Sequence, residues 1–447
     1  MKHQFIIAAP NSNAGKTTVT LGLLRLLQRK GISVQPFKVG PDYIDPKFHE
    51  VACKRKGVNL DLFMMSDEEI MYSLETYGKD SQVNCIEGVM GLFDGAKKDK
   101  GSTAEMAKKL ETPVLLVIDA KSVAYSVAPL IQGFINFDPE VPIMGVVFNR
   151  VGSERHYQIL KDACEDIGVT CFGYLSRLKN IEIPSRHLGL NIDNIEKFDL
   201  VIDEIASAME HTLDWKDILK VAFKKGIKNN TEIETPKCDP IQFAVAKDEA
   251  FNFIYTQTVS SLHTLGTVIY FSPLHDKEMP TCDFLYLPGG YPELHLGDLS
   301  RNKSMLNSIR NFAHKGGTIY AECGGMMYLG KEIISENHTP FNMVGLFNFT
   351  TSIAHKKLHL GYRTSDMENA IFTGHEFHYS TIIEDNEVPM KTKIYNASEK
   401  ETTTKIYKKN KVIASYVHHY IGTPEKLLKL INEIPVSYTH LTLPTIA

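Results

Sequence analysis

The stretch IIAAPNSNAGKTTVTLGLLRLLQRKG, residues 6–31, reads as a short apolar strand, a glycine-containing loop and an amphipathic helix. A loop of this kind presents backbone N–H groups and a helix N-terminus to an anion, which makes a cradle for phosphates. In that reading Asn13, Gly15, Lys16, Thr17 and Thr18 are ATP-binding candidates. Lys16 reaches the β- and γ-phosphates, and the Thr17 hydroxyl holds Mg²⁺. Pro10 stands where the usual G-x-x-x-x-G-K-[ST] pattern has its first glycine. A proline is tolerated there if the backbone needs no positive φ. The competing reading, a polar turn that merely contains GKTT, is disfavoured by the strand before it and the helix after it.

Outward from this loop, QFIIAA, VQPFKV, VNCIEGV, TPVLLVIDA and IMGVVFN have strand length and β-branched content. Helical patterns such as TTVTLGLLRLLQRKG and TAEMAKKLE alternate with them. That alternation predicts βαβ units and a mainly parallel sheet covered on both faces. Residues from about 205 to 240 change character: KVAFKKGIKNNTEIETPKCDP is polar, lysine-rich and turn-rich, and its second half reads as a linker. A second α/β pattern starts at PIQFAVAKDEAFNFIY and runs through GTVIYFS, DFLYLPGG, GGTIYAECGG and VIASYVHHY. The expected organisation is an ATP- and substrate-binding domain over 1–205, a connecting helix and linker over 206–240, and a second domain over 241–435. The tail 436–447, VSYTHLTLPTIA, continues no pattern and is assigned no function.

A chain of 447 residues is too long for one core. The net charge of -4 gives no nucleic-acid or membrane footprint, and no run approaches the apolar length of a membrane span. The first apolar run leads directly into the glycine-lysine loop, so no secretory signal is expected. Seven scattered cysteines without CxxC spacing point to reduced thiols in a cytoplasm rather than disulfides or structural zinc.

Ligands of open parallel sheets lie beyond the carboxyl ends of the strands. FKVGPDYIDP places Lys38, Asp42 and Asp45 at one such end, and IEGVMGLFDG places Glu87 and Asp94 at another. Phosphoryl transfer needs carboxylates that hold Mg²⁺ and a group that neutralises developing charge. Glu87 is the better metal candidate; Asp42 and Asp45 either bind metal or position substrate. Ordinary turn chemistry is the competing reading for each aspartate. Asn149, after the strand IMGVVF, is either an adenine-edge contact or a capping residue.

GGTIYAECGGMMYLG, residues 316–330, reads as strand, tight turn and helix. A cysteine on such a turn is exposed at the top of a sheet, and the helix N-terminus favours its thiolate. Gly289 and Gly290, with Gly324 after the cysteine, supply candidate oxyanion-hole N–H groups. His418 and His419 are candidate bases. Together these make the set needed for acyl transfer by Cys323.

The motifs NAGKTTVTLGLLRLL, QPFKVGPDYIDPKFH, NLDLFM, IEGVMGLFDG, VVFNRVGSERH, LPGGYPELH, AECGGMMYL, GHEFHYS and SYVHHY are spread over about residues 4–422, nearly the whole chain. In this order they resemble the cobyrinate a,c-diamide synthase family. The resemblance implies an α/β chain: a P-loop NTPase domain with a parallel sheet, like dethiobiotin synthetase, then a class I glutamine amidotransferase domain of flavodoxin-like type. It implies a carbon–nitrogen ligase that amidates the a- and c-acetate groups of a corrinoid with ATP and L-glutamine. Small molecules are then the expected partners, Mg²⁺ the metal and the cytoplasm the location. The sequence is silent on oligomeric state, and a homodimer stays open.

Carried over by motif, Cys323 matches the glutaminase nucleophile and His418 its base. Lys16 and Thr17 match the phosphate loop, Glu87 the acid near magnesium, and Asn149 the adenine-contacting asparagine. Tyr420 stands where related enzymes have a glutamate two residues after the histidine, so the resemblance implies a Cys–His dyad. The choice of His418 over His419 rests on register. Hydrogenobyrinate and nickel sirohydrochlorin are alternative macrocycles, and a P-loop ATPase switch fused to a non-catalytic domain is the alternative of another class.

Overall fold

Five- and six-residue apolar runs that are buried along their whole length fit strands covered on both faces, and parallel sheets are built from these. The computed structural model describes residues 2–178, 195–224, 233 and 235–434. The chain divides into two compact units, residues 1–233 and 234–447. The tail 436–447 and most of the polar stretch 225–234 lie outside the described residues.

In the first unit the strands are β1 (Lys2–Ala8), β2 (Val34–Val39), β3 (Val58–Leu60), β4 (Val83–Glu87), β5 (Val114–Asp119), β6 (Ile143–Val151) and β7 (Cys171–Ser176). They form a parallel sheet in the order β3-β2-β4-β1-β5-β6-β7. A short β8 (Phe223–Lys224) pairs antiparallel with the start of β1. The register sets Lys38 of β2 beside Glu87 of β4, and Glu87 beside Ile7 of β1. Three strand ends therefore open onto one crevice.

The helix α1 (Lys16–Arg29) buries Val19, Leu23, Leu24, Leu26 and Leu27 against this sheet. Its Arg25 bonds the carbonyls of Val51 and Ala52 on α2 (Asp45–Cys53) and pairs with Asp199 and Asp203 at 2.5 Å each. The helices α1 and α2 are thus tied to each other and to the helix Ile195–Glu210.

The second unit begins with β9 (Ile241–Ala246), β10 (Gly266–Phe271), β11 (Phe284–Leu287) and β12 (Thr318–Glu322). It continues through β13 (Glu332–Ile334), β14 (Pro340–Asn342), β15 (Phe349–Ser352), β16 (His359–Asp366), β17 (Ile371–His378), β18 (Thr381–Asp385) and β19 (Lys393–Asn396). It closes with β20 (Ile406–Lys409), β21 (Val412–Ser415) and β22 (His418–His419). The main sheet runs β10-β9-β11-β12-β21-β20, parallel except for β20. Counted along the chain, its parallel strands have the 2-1-3-4-5 order of flavodoxin-like folds. The strands between β12 and β20, joined by β22 after β21, form two four-stranded sheets, β14-β13-β15-β18 and β19-β16-β17-β22. No described helix is long and apolar enough to cross a membrane.

Candidate functional site

The loop after β1 takes positive φ at Asn13 (67°) and Gly15 (89°), and not at Pro10. The first-glycine position of the pattern therefore needs no glycine here. Gly15 is constrained twice, because a Cβ on it would lie 1.8 Å from Nδ2 of Asn149. The Asn149 amide donates to the Ala14 carbonyl at 3.0 Å, and its Oδ1 accepts from the Arg150 N–H at 2.9 Å. Asn149 thus braces the loop from β6.

Lys16 donates to the Met90 carbonyl at 2.7 Å in the loop after β4. The Thr17 hydroxyl donates to Glu87 Oε1 at 2.6 Å. Lys38 lies 2.7 Å from Asp45 Oδ2 and 3.2 Å from Glu87 Oε1, and donates to the Gly88 carbonyl at 2.9 Å. His49 Nε2 meets Glu87 Oε2 at 2.6 Å. Lys38, His49 and Glu87 are fully buried. Burial alone would raise the Glu87 pKa, but Lys38, His49 and Lys16 outweigh it and hold the carboxyl well below the ordinary glutamate range.

This places Lys16, Thr17, Lys38, Asp45 and Glu87 in one cluster and adds His49, which sequence reasoning missed. The signal was there: His49 follows Asp45 by four residues, so both share a face of α2. Asp42 and Asp94 make turn contacts. Asp42 Oδ1 accepts from the N–H groups of Ile44 and Asp45 at 2.8 and 3.0 Å, opening α2. Asp94 Oδ2 accepts from the Gly91 N–H at 3.0 Å. Asn59 fastens the intervening loop through the carbonyls of Gly40 and Asp42.

Among the described residues no group of three or more His, Cys, Asp or Glu is disposed to hold a metal ion. The Thr17 hydroxyl and the Glu87 carboxylate nevertheless fit Mg²⁺, which takes one or two carboxylates and completes its shell with phosphate oxygens and water. Asp45, engaged by Lys38, is placed one step behind that pair.

In the second unit Cys323 sits between β12 and the helix Gly324–Leu329 with φ 45° and ψ −105°, strained for a non-glycine residue. Its N–H donates to the Ser415 carbonyl at 2.8 Å, which ties the turn to β21. Glycine is needed at both positions after it: a Cβ on Gly325 would lie 2.1 Å from the Leu287 carbonyl oxygen, and one on Gly324 2.7 Å from Pro292. Burial pushes the Cys323 thiol well above the ordinary range; Glu293 adds to this and the Gly324 N–H opposes it. The six-residue helix does not overcome burial, contrary to the expectation of a favoured thiolate.

A pocket beside the sulfur is lined by Phe253, Gly290, Glu293, Phe377, Tyr379 and Ser380. Burial pushes the Glu293 carboxyl up to about 7. The Gly290 N lies 3.2 Å from where a Gly324 Cβ would stand, so these two backbone segments run side by side under the pocket. Gly289 has another duty: the His418 ring occupies the space of its missing Cβ, 2.2 Å away at Cε1. The Gly289 carbonyl accepts from the N–H groups of Asn252 and Phe253.

The two adjacent histidines differ sharply. His419 engages both ring nitrogens, Nδ1 with the Tyr320 hydroxyl at 2.8 Å and Nε2 with the Ser365 hydroxyl at 2.9 Å. Burial lowers its pKa to about 4. His418 stacks on His375 of β17 at 5.0 Å, and its Nδ1 lies 3.7 Å from Glu322 Oε2. Of the pair, only His418 has both the Gly289 loop and a carboxylate against it.

Comparison with known proteins agrees with this division. Residues 5–190 match the model described as CobQ/CobB/MinD/ParA nucleotide binding domain, and residues 242–426 match that of the CobB/CobQ-like glutamine amidotransferase domain. A cobyrinate a,c-diamide synthase of Caldanaerobacter subterraneus is 41% identical, over 85% of this chain and 86% of its own. One of Listeria monocytogenes is 39% identical, over 93% and 96%. A hydrogenobyrinate a,c-diamide synthase of Brucella anthropi is 38% identical, over 93% and 97%.

Proposed function

Since the chain belongs to the cobyrinate a,c-diamide synthase family of glutamine-dependent ligases, we propose that it converts cobyrinate to cobyrinate a,c-diamide with ATP and glutamine. The observation that carries this reading is one chain bearing both a phosphate-loop cluster around Lys16 and Glu87 and a strained cysteine turn at Cys323.

A carboxylate is a poor electrophile, so an acetate oxygen of the macrocycle attacks the γ-phosphorus of ATP, giving an acyl phosphate and ADP. Lys16 and Lys38 stabilise the charge in flight, the first at the phosphates and the second from beneath Glu87 and Asp45. Mg²⁺, held by Thr17 and Glu87, supplies neutralising charge at the phosphates when bound. At the second site the Cys323 sulfur attacks the glutamine side-chain carbonyl carbon, and its proton passes to His418. The N–H groups of Gly290 and Gly324 stabilise the oxyanion. His418 returns the proton to the leaving nitrogen, ammonia departs, and water cleaves the γ-glutamyl thioester to glutamate. Ammonia then displaces phosphate from the acyl phosphate to form the amide. The thiol's high pKa is consistent with a nucleophile that loses its proton only once glutamine is in place.

Cys323→Ala is expected to abolish glutamine-dependent amidation and to leave amidation with added ammonia. Lys16→Ala is expected to remove both. Loss of both routes in Cys323→Ala would sink the two-site scheme. The Brucella relative's name favours hydrogenobyrinate as the second reading of the substrate. Turnover with cobyrinate, hydrogenobyrinate and nickel sirohydrochlorin in parallel decides among the macrocycles.

A further inference from the structure

We propose that Glu322, the residue immediately before the nucleophile, is the positioning acid for His418, an inference that rests on the glutaminase reading of Cys323. The site then works as Cys323, His418 and Glu322, although the position two residues after His418 holds Tyr420.

Glu322 closes β12, and both its carboxylate and the His418 ring are about 1% exposed. Oε2 faces His418 Nδ1 at 3.7 Å and accepts from the Tyr286 hydroxyl at 2.8 Å. Oε1 accepts from the Tyr320 hydroxyl at 2.7 Å and from the His419 N–H at 3.0 Å. Three neutral donors on three strands thus fix the carboxylate and orient it, while none of them brings a positive charge.

An imidazolium forming at His418 would be the positive partner of this buried carboxylate. That is the role of the third member in a nucleophile–base–acid set, in which the acid orients the imidazole and stabilises its charged form. A gap of 3.7 Å is longer than a hydrogen bond, as is common before substrate closes such a site. Glu322 orients the ring and takes no part in the transfer; the Cys323 proton moves to His418 and on to the departing nitrogen.

The other side chains serve this arrangement. Tyr320 donates to Glu322 and so accepts from His419 Nδ1–H, which fixes His419 as a neutral tautomer with Nε2 accepting from Ser365. His419 is therefore a support for the carboxylate through its own backbone N–H, and His418 is the ring whose Nδ1 faces it. The titratable groups around His418 include Glu322 of β12, His375 and His378 of β17 and His419 beside it on β22, with the charged Arg363 of β16 acting on His375 and His378.

The test is glutamine hydrolysis by the full chain across pH, with the wild type, Glu322→Gln and Tyr286→Phe. Glu322→Gln is expected to lower kcat at least 100-fold with KM for glutamine within about threefold, and to move the acid limb of kcat/KM down by about one pH unit. Tyr286→Phe, which strips a donor from Oε2, is expected to move that limb up. Unmoved limbs in both variants, or a kcat for Glu322→Gln within threefold of wild type, would overturn the assignment. A wild type that does not hydrolyse glutamine would instead overturn the glutaminase reading beneath it. Ammonia-dependent amidation and circular dichroism monitor folding, and Tyr286→Phe keeps the test open if Glu322→Gln unfolds.

Discussion

The two sites each bury an acid, and they compensate it in opposite ways. Around Glu87 and Asp45 the compensation is ionic: Lys38 touches both, His49 lies on Glu87, and Lys16 is near enough to help. Around Glu322 it comes from two phenol hydroxyls and a backbone N–H, all neutral. The first site is thus charged and balanced before any ligand arrives, as suits a cradle for a polyanion. The second buries a thiol whose surroundings favour the protonated form. Preformed charge suits phosphate, whereas a buried neutral nucleophile suits an uncharged amide.

That contrast can be broken experimentally, beginning with the largest effect. Lys38→Met leaves two buried carboxylates without their shared cation and is expected to cost the first unit about 3–5 kcal/mol. Urea unfolding measures this; a cost below about 1 kcal/mol would mean that the cluster is not balanced by Lys38. Gly15→Ala meets both a φ of 89° and Asn149. It is expected to cost about 2–3 kcal/mol and to weaken ATP binding, measured by thermal unfolding and calorimetry.

Acid sharpens the same contrast. The folded pKa of Glu87 lies below its ordinary value of 4.5, so its contribution is fully present above that value and fades as pH falls toward the folded pKa. Stability of the first unit should therefore decline from about pH 4.5 downward, and Glu87→Gln should flatten that decline; an unchanged acid profile in the variant speaks against it. Tyr286→Phe removes one neutral bond and is expected to cost the second unit only about 1 kcal/mol, well below Lys38→Met. Smallest of all is Asp42→Asn. Asparagine retains the acceptor that opens α2, so a change beyond about 0.5 kcal/mol in the melting of the first unit would assign Asp42 more than turn chemistry.

Much of the fold was legible because central strands must be continuously apolar. QFIIAA, VQPFKV, VNCIEGV, TPVLLVIDA and IMGVVFN all became parallel strands, as did the five runs of the second unit. β3, β7, β8, β20 and the strands from β13 to β19 were not read. They are short or alternate polar with apolar residues, as in HLGYRTSD of β16, and a half-exposed strand lacks the continuous run that marks a buried one. Lys16, Thr17, Glu87 and Cys323 were legible because their chemistry is local: a loop, a strand end, a tight turn. His49 and Glu322 were not singled out, since each matters through a partner nearly forty or a hundred residues away.

The sequence by itself therefore determined the continuously apolar strands, the two α/β halves and the candidate reactive groups. Periodicity, glycine placement and strand-end position are properties of neighbouring residues. Only the tertiary structure decided which groups face one another. It seated Asn149 on the phosphate loop, His49 on Glu87, the His418 ring against Gly289, and Glu322 opposite His418 while His419 turned to Tyr320 and Ser365. The physical reason is that burial makes an unpaired polar group costly, so partners are chosen by packing across strands and not by distance along the chain.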